Sequence, residues 1–442
     1  MRRASFHTLG CRLNQAETAV LETRLRKVGY KLVPFGEPTD LLVVNSCSVT
    51  EDAERSARYV IRKTLRHSPE AFVAITGCYA QTGVQELRNI PGLDLIVGNQ
   101  FKWDLPDLLP AAEHLKKNLA ANVAHTSLVE RNDFEQPYFG DPNTTRPLLK
   151  IQDGCNVMCS FCLIPFARGR ERSRIVENVL KEAEAVAALG HREVVLTGVN
   201  VGQYQQSGLD LAGLIDGLER IAGIERIRIS SIEPTTVTEA LLERMASSTK
   251  LCPYLHIPLQ SGDNTILSAM NRPYDVKQYV GLIERALAAV PDIGLGTDIM
   301  VGFPGESEAA FERTYDLAQS LPFAYFHVFT YSARPGTAAL KLPGPVSPVT
   351  AKARAQRMID LCHGKRLAFA ERHIGKTVQV LFESGETEGL RLGTTPNFLR
   401  VAVTAETAEQ REALPVLIWG ATNRWALGRV ATALAIRKVV PV

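Results

Sequence analysis

Leu148-Leu149-Lys150-Ile151-Gln152-Asp153-Gly154-Cys155-Asn156-Val157-Met158-Cys159-Ser160-Phe161-Cys162 joins a short apolar run to three closely spaced cysteines. The run 148–151 has the length and composition of a buried strand. Outward from it the pattern repeats. Strands are expected at 148–151, 193–197, 226–230, 254–257, 295–300 and 325–329, with helices such as 176–189 and 279–289 between them. Six strand–helix units of this kind predict a partial (β/α) barrel. The cysteines follow its first strand, so they belong to the carboxyl mouth, where barrel active sites lie.

Upstream, strands expected at 6–9, 41–44 and 72–75 alternate with helices at 15–27, 52–66 and near 84–87. That alternation predicts a parallel, doubly wound, Rossmann-like sheet. The stretch 135–147 is rich in Pro, Gly and polar residues and reads as a linker. A second break falls at 342–348, followed by a helix over 350–372. Short strands at 378–382, 399–403, 416–419 and 429–434 then predict a small β-barrel. The fold class is thus α/β in three domains, expected at 1–134, 147–366 and 369–438.

A chain of 442 residues, 45% hydrophobic and 22% charged, has ample core for such domains. No apolar run approaches the ~20 residues that span a bilayer, so no membrane partner is expected. The start carries basic residues but no apolar segment of a secretory signal. A net charge of +3 does not by itself argue for nucleic acid. Eight cysteines are too few for a disulfide scaffold, and the chain reads as cytoplasmic.

Three of those cysteines, Cys155, Cys159 and Cys162, crowd together. Thiolates select zinc, copper(I) or iron–sulfur. A structural zinc site wants a fourth ligand, and no further Cys or His stands between Asp153 and Arg174. Three thiolates on a cubane leave one iron open, which is what S-adenosylmethionine (SAM) radical chemistry requires. Phe161 offers an aromatic face to an adenine. A zinc knuckle and a redox pair made of Cys159 and Cys162 are the structural alternatives.

Cys11, Cys47 and Cys78 look unrelated by local spacing. On the strand map each follows a strand of the N-terminal sheet, about one strand–helix unit apart. In a parallel sheet all three converge on the carboxyl edge, the usual ligand crevice. Gly10 and Gly77 allow close backbone approach there. The arrangement suggests a second three-thiol site; the alternative is three unrelated buried cysteines.

The whole pattern resembles the radical SAM methylthiotransferases. The residues that carry the likeness are Thr8-Leu9-Gly10-Cys11-Arg12-Leu13-Asn14-Gln15, Asn45-Ser46-Cys47-Ser48-Val49-Thr50-Glu51 and Thr76-Gly77-Cys78-Tyr79-Ala80-Gln81. To these add the stretch from Asp153 through Arg170, His256-Ile257-Pro258-Leu259-Gln260-Ser261-Gly262 and Asp298-Ile299-Met300-Val301-Gly302-Phe303-Pro304-Gly305-Glu306. The wording after Cys11 and Cys47 is similar to the MtaB type, which methylthiolates N6-threonylcarbamoyladenosine beside the anticodon of tRNA. The types acting on isopentenyladenosine or on a ribosomal-protein aspartate usually read differently after the first cysteine.

The resemblance implies two 4Fe–4S clusters. Cys155, Cys159 and Cys162 would hold the radical-generating one, and Cys11, Cys47 and Cys78 an auxiliary one that carries sulfur. One SAM would methylate that sulfur, and a second would yield the radical that takes hydrogen from C2 of the adenine. Gly198, Asn200, Ser230, Glu233, Gln260, Ser261 and Asp298 would contact SAM with Phe161. Arg168, Arg170, Arg172 and Arg174 would meet RNA phosphates or the SAM carboxylate. Their alternative is a solvated face partnered by Glu171, Glu177 and Glu182. The C-terminal barrel would be an RNA-binding TRAM domain, with Phe398 and Trp425 available for stacking. Its Gly393-Thr394-Thr395-Pro396-Asn397-Phe398 departs from the family wording. Partners implied are tRNA, an electron donor such as flavodoxin or ferredoxin, and a sulfur donor. A non-enzymatic RNA-binding metalloprotein is the remote alternative.

Overall fold

The computed structural model describes residues 2–111, 114–130, 144–408 and 412–431. The N-terminal sheet has six parallel strands in the order Lys31–Leu32, Arg3–Thr8, Leu41–Ser46, Phe72–Gly77, Leu95–Val97 and Asn122–Ala124. Leu41–Ser46 and Phe72–Gly77 are buried along their whole length. Helices cover both faces of a parallel sheet, which is why these strands read as continuous apolar runs. The helix Glu51–His67 starts where the sequence signals it. Thr50 accepts a hydrogen bond from the Ala53 amide, acids fill the first turn, and Arg66 and His67 close the last.

Six parallel strands form the partial barrel. Leu148–Lys150, Glu193–Thr197 and Arg226–Ile229 make one half. Tyr254–His256, Gly294–Val301 and Tyr325–Thr330 make the other. Parallel bridges Ile227–Leu251 and Ser231–His256 join the halves. Strand alternation sorts the side chains. Val194, Leu196, Ile227 and Ile229 pack with Val179, Ala183, Leu214 and Leu218 of the surrounding helices. Glu193 and Arg228 point the other way and pair with each other at 2.7 Å.

After the helix Pro348–Glu371, five strands close into a small barrel. Arg228 ties it to the central domain. Fully buried, Arg228 donates to the carbonyls of Thr395 (3.1 Å) and Pro396 (2.9 Å). Phe398 stacks on Tyr254 at 4.5 Å between ring centroids.

All six barrel strands fall where the sequence places them, within about two residues at either end. The sequence reading omits Lys31–Leu32, Leu95–Val97 and Asn122–Ala124, each too short to show periodicity, and Leu390–Thr394, whose Gly and Thr hide its pattern. Among the described residues the last strand is Ala426–Val430, which starts before the expected 429–434, and 432–434 lie outside the described residues. The expected linker lies outside the described residues over 135–143, as do the domain limits at 134 and 438.

Candidate active site

Each dispersed cysteine ends one of three adjacent strands. Cys11 precedes the helix Arg12–Lys27, Cys47 follows Leu41–Ser46, and Cys78 opens the helix Cys78–Thr82. Their charges would act on one another, so the thiols converge. Close approach depends on glycine. A Cβ at Gly10, whose φ is +90°, would lie 2.7 Å from the Cys47 sulfur. A Cβ at Gly77, with φ +96°, would lie 2.3 Å from the Ser46 carbonyl oxygen. The Val49 amide donates to Cys47 Sγ at 3.4 Å.

The compact triad sits in the loop after the first barrel strand. Val157 N–H donates to Cys155 Sγ (3.3 Å) and Ile164 N–H to Cys162 Sγ (3.4 Å). Arg272 Nη1 donates to Cys159 Sγ at 3.1 Å. Arg272 also pairs with Glu233 and lies over the Tyr274 ring. All eight cysteines are free thiols. Burial pushes Cys47 and Cys162 up to about 12 and Cys155 to about 11, so these thiols hold their protons until a soft cation replaces them. Two sets of three thiols, each set met by N–H donors, fit clusters with an open iron.

A buried ion network joins the two sites. The helix Ile164–Arg168 continues the compact loop and packs on Cys78–Thr82. Arg168 donates to Glu17 (2.8 and 3.0 Å), Asp153 (3.1 Å) and Asn14 (2.7 Å). Glu17 also takes Lys102 at 2.5 Å and Lys150 at 2.7 Å. These cations hold the Glu17 and Asp153 carboxyls well below the usual range against the opposing cost of burial.

This network corrects the reading of the arginine run. Arg168 is 2% exposed and Arg174 is buried against Glu182, so neither faces a phosphate. Arg172 is half-buried, donating to the carbonyls of Val129 (3.1 Å) and Arg168 (2.7 Å). Arg170 alone of the four is exposed. The anion that Arg168 meets is the protein's own.

The expected SAM contacts divide. Gly198 follows Glu193–Thr197, and a Cβ there would lie 2.8 Å from Gln152 Oε1. That oxygen holds the amides of Val199 and Asn200, both at 2.9 Å. The Nδ2 of Asn200 and the Oγ of Ser230 are buried without a partner. Unpaired buried polar atoms are costly, so these two point to a ligand. Gln260 adopts φ +65°, a conformation rare outside glycine and common at ligand sites. Phe161 is half-buried, edge-on to Phe303 at 6.3 Å. Ser261 departs from expectation. It is fully buried, with its hydroxyl spent on Thr314 (3.3 Å) and the Asp263 amide (3.2 Å). Asp298 is held by His256 Nε2 at 3.0 Å, with His327 nearby. Phe398 is half-buried and stacks on Tyr254.

Sequence reasoning missed Glu17, Lys102 and Arg272. Glu17 sits two residues beyond a quoted motif, and Arg272 follows the fourth barrel strand by a short helix, so no local spacing marks them.

Comparison with known proteins agrees with this architecture. A profile of the Radical SAM superfamily matches residues 149–318, and one described as "Uncharacterized protein family UPF0004" matches 3–98. The threonylcarbamoyladenosine tRNA methylthiotransferase MtaB of Bacillus subtilis is 36% identical over 91% of this chain and 90% of its own length. The protein of that name from Aquifex aeolicus is 38% identical over 86% of this chain and 92% of its own.

The chain belongs to the radical SAM tRNA methylthiotransferase family.

Family membership makes it an enzyme and implies SAM and a 4Fe–4S cluster. The tRNA-2-methylthio-N(6)-dimethylallyladenosine synthase of Cereibacter sphaeroides is also 36% identical, over 91% of this chain and 92% of its own length. Among solved structures, the radical SAM methyltransferase TsrM of Kitasatospora setae superposes with a TM-score of 0.55 at 14% identity. It covers 88% of this chain and 79% of that one, a likeness of fold. Among the described residues, no helix is long and apolar enough to cross a membrane.

Proposed function

We propose that this enzyme adds a methylthio group to C2 of N6-threonylcarbamoyladenosine beside the anticodon of tRNA. The observation that carries the reading is the pair of three-thiol sites, joined through one buried ion network, in a chain whose relatives of 36–38% identity include enzymes named for that reaction. When bound, SAM and its cluster supply a carbon radical able to attack an unactivated C–H bond.

The chain's own residues do the rest. Cys155, Cys159 and Cys162 would hold that cluster, and Cys11, Cys47 and Cys78 a second 4Fe–4S cluster bearing the sulfur to be transferred. Arg272 hydrogen-bonds Cys159 and fixes Glu233 beside the SAM pocket. Asn200 and Ser230 offer the free Nδ2 and Oγ for polar groups of SAM, and the strained Gln260 and half-buried Phe161 line the same mouth. Glu17 and Arg168 keep the two thiol sites in register. The exposed Met158 and Phe166 flank the compact loop and offer an electron donor an apolar landing. A sulfur donor would reload the Cys11 site. The segments 1–134, 147–366 and 369–438 are assigned to the auxiliary site, the radical core and RNA binding.

Acting on dimethylallyladenosine is the second reading, favoured by relatives of that name. Mass analysis of tRNA nucleosides from cells lacking the gene separates the two. Loss of 2-methylthio-N6-threonylcarbamoyladenosine, restored by the wild-type gene but not by Cys47→Ala, is expected. Persistence of that nucleoside, with loss of the dimethylallyl analogue, would select the second reading.

A further inference from the structure

Arg12 follows Cys11 directly, so their α-carbons are about 3.8 Å apart. It opens the helix Arg12–Lys27, where a cation opposes the helix dipole, and no acid stands in that first turn to offset it. Four nearby arginines have carboxylates. Arg146 pairs with Glu383, Arg228 with Glu193, Arg168 with Glu17 and Arg272 with Glu233. Arg12 is half-buried, yet among the described residues it has no ion pair and no side-chain hydrogen bond.

It borders two adjoining cavities of about 500 and 340 Å³, which share Arg12, Arg146 and Glu383. Tyr325 and Trp425 wall the second, with Arg366. Glu383 is the one acid among the described lining residues of either cavity, and Arg146 already holds it. The space therefore combines flat aromatic faces with uncompensated positive charge. That suits a planar base carrying an anion.

We propose that Arg12 reads the carboxylate on the N6 substituent of the substrate adenosine and so selects the anionic substrate over an apolar one. This rests on the threonylcarbamoyladenosine reading. The threonyl group ends in a carboxylate, which a guanidinium binds through two parallel hydrogen bonds. N6 is the exocyclic nitrogen on C6, and C6 and C2 are the two neighbours of N1 in one ring. A base with C2 turned to the Cys11 site therefore keeps its N6 substituent within reach of the neighbouring residue. A dimethylallyl group set against Arg12 would strip water from the cation and return nothing.

The test uses iron-loaded enzyme and two synthetic anticodon stem-loops, one with the free threonylcarbamoyl acid and one with its methyl ester. Wild-type enzyme should bind the acid about 10- to 100-fold tighter, the scale of a charged hydrogen bond. Arg12→Gln should bind both alike, and Arg12→Lys should recover part of the preference. On the wild-type protein, phenylglyoxal modification of Arg12, read by peptide mass spectrometry, should be blocked by the acid and not by the ester. Full preference in Arg12→Gln, or no protection of Arg12, overturns the inference while leaving the substrate reading intact. Wild-type enzyme that methylthiolates the dimethylallyl stem-loop and ignores the acid overturns both.

Discussion

Glu17→Gln should weaken the joint between the N-terminal domain and the barrel. Glu17 accepts four charge-assisted hydrogen bonds, from Lys102 (2.5 Å), Lys150 (2.7 Å) and Arg168 (2.8 and 3.0 Å). At about 1.5–3 kcal/mol each, their gross value is roughly 6–12 kcal/mol. Glutamine keeps the shape and some of the bonds, but takes from the buried Lys102 its carboxylate and leaves Lys150 and Arg168 with Asp153. The expected net loss is about 3–5 kcal/mol, the range for a broken buried ion pair. Against a total stability of about 5–15 kcal/mol that is a large share. Trp103 reports on the joint, because Lys150 Nζ lies 5.5 Å from its ring centroid. Urea unfolding followed by its fluorescence, with Trp419 and Trp425 replaced by Phe, gives the loss. The pH dependence has a definite sign. The cations depress the folded Glu17 value against the opposing effect of burial, so the stabilisation is complete above the ordinary 4.5 and is lost as pH falls below it. Glu17→Gln should lack that acid-dependent loss. A change under about 1 kcal/mol, with an unchanged acid limb, would refute the reasoning.

Other outcomes follow from the same geometry. Gly10→Ala pushes a methyl group into the Cys47 sulfur and should lower iron loading by about half on the two-cluster reading. Cys47→Ala should do the same, whereas Cys252→Ala and Cys362→Ala, buried in the core away from both triads, should keep full iron content by colorimetric assay. Arg272→Met removes both a positive charge and a hydrogen bond from Cys159. The potential of the compact-triad cluster should shift negative in a spectroscopic redox titration, and an unchanged potential would count against that contact. Arg228→Met severs the tie to the C-terminal barrel and leaves the buried Glu193 with only the longer pair to Arg226, at 3.8 Å. A cost of about 3–5 kcal/mol and faster proteolysis near 372–377 are expected.

Much of this was legible in the sequence. Strand runs such as Glu193–Thr197 are apolar or β-branched and bounded by turns, so local pattern suffices. The convergence of Cys11, Cys47 and Cys78 followed from parallel topology alone, since each ends a strand of one sheet. Failures came where long-range partners decide a side chain's role. Arg168 looked like an RNA contact because its partners Glu17 and Asn14 lie about 150 residues away in sequence. Ser261 looked like a ligand contact until Thr314 claimed its hydroxyl. Phe398, outside the expected motif wording, was still placed for stacking, but on Tyr254 of its own chain.

The most direct test of the account is the reaction itself. Anaerobically reconstituted enzyme, SAM, a low-potential reductant and a stem-loop bearing N6-threonylcarbamoyladenosine are combined, and the nucleosides are read by mass spectrometry. The account predicts a methylthio gain on that nucleoside, absent with either Cys47→Ala or Cys159→Ala. No gain on it, with a gain on the dimethylallyl stem-loop, or full product from Cys47→Ala, would contradict the account.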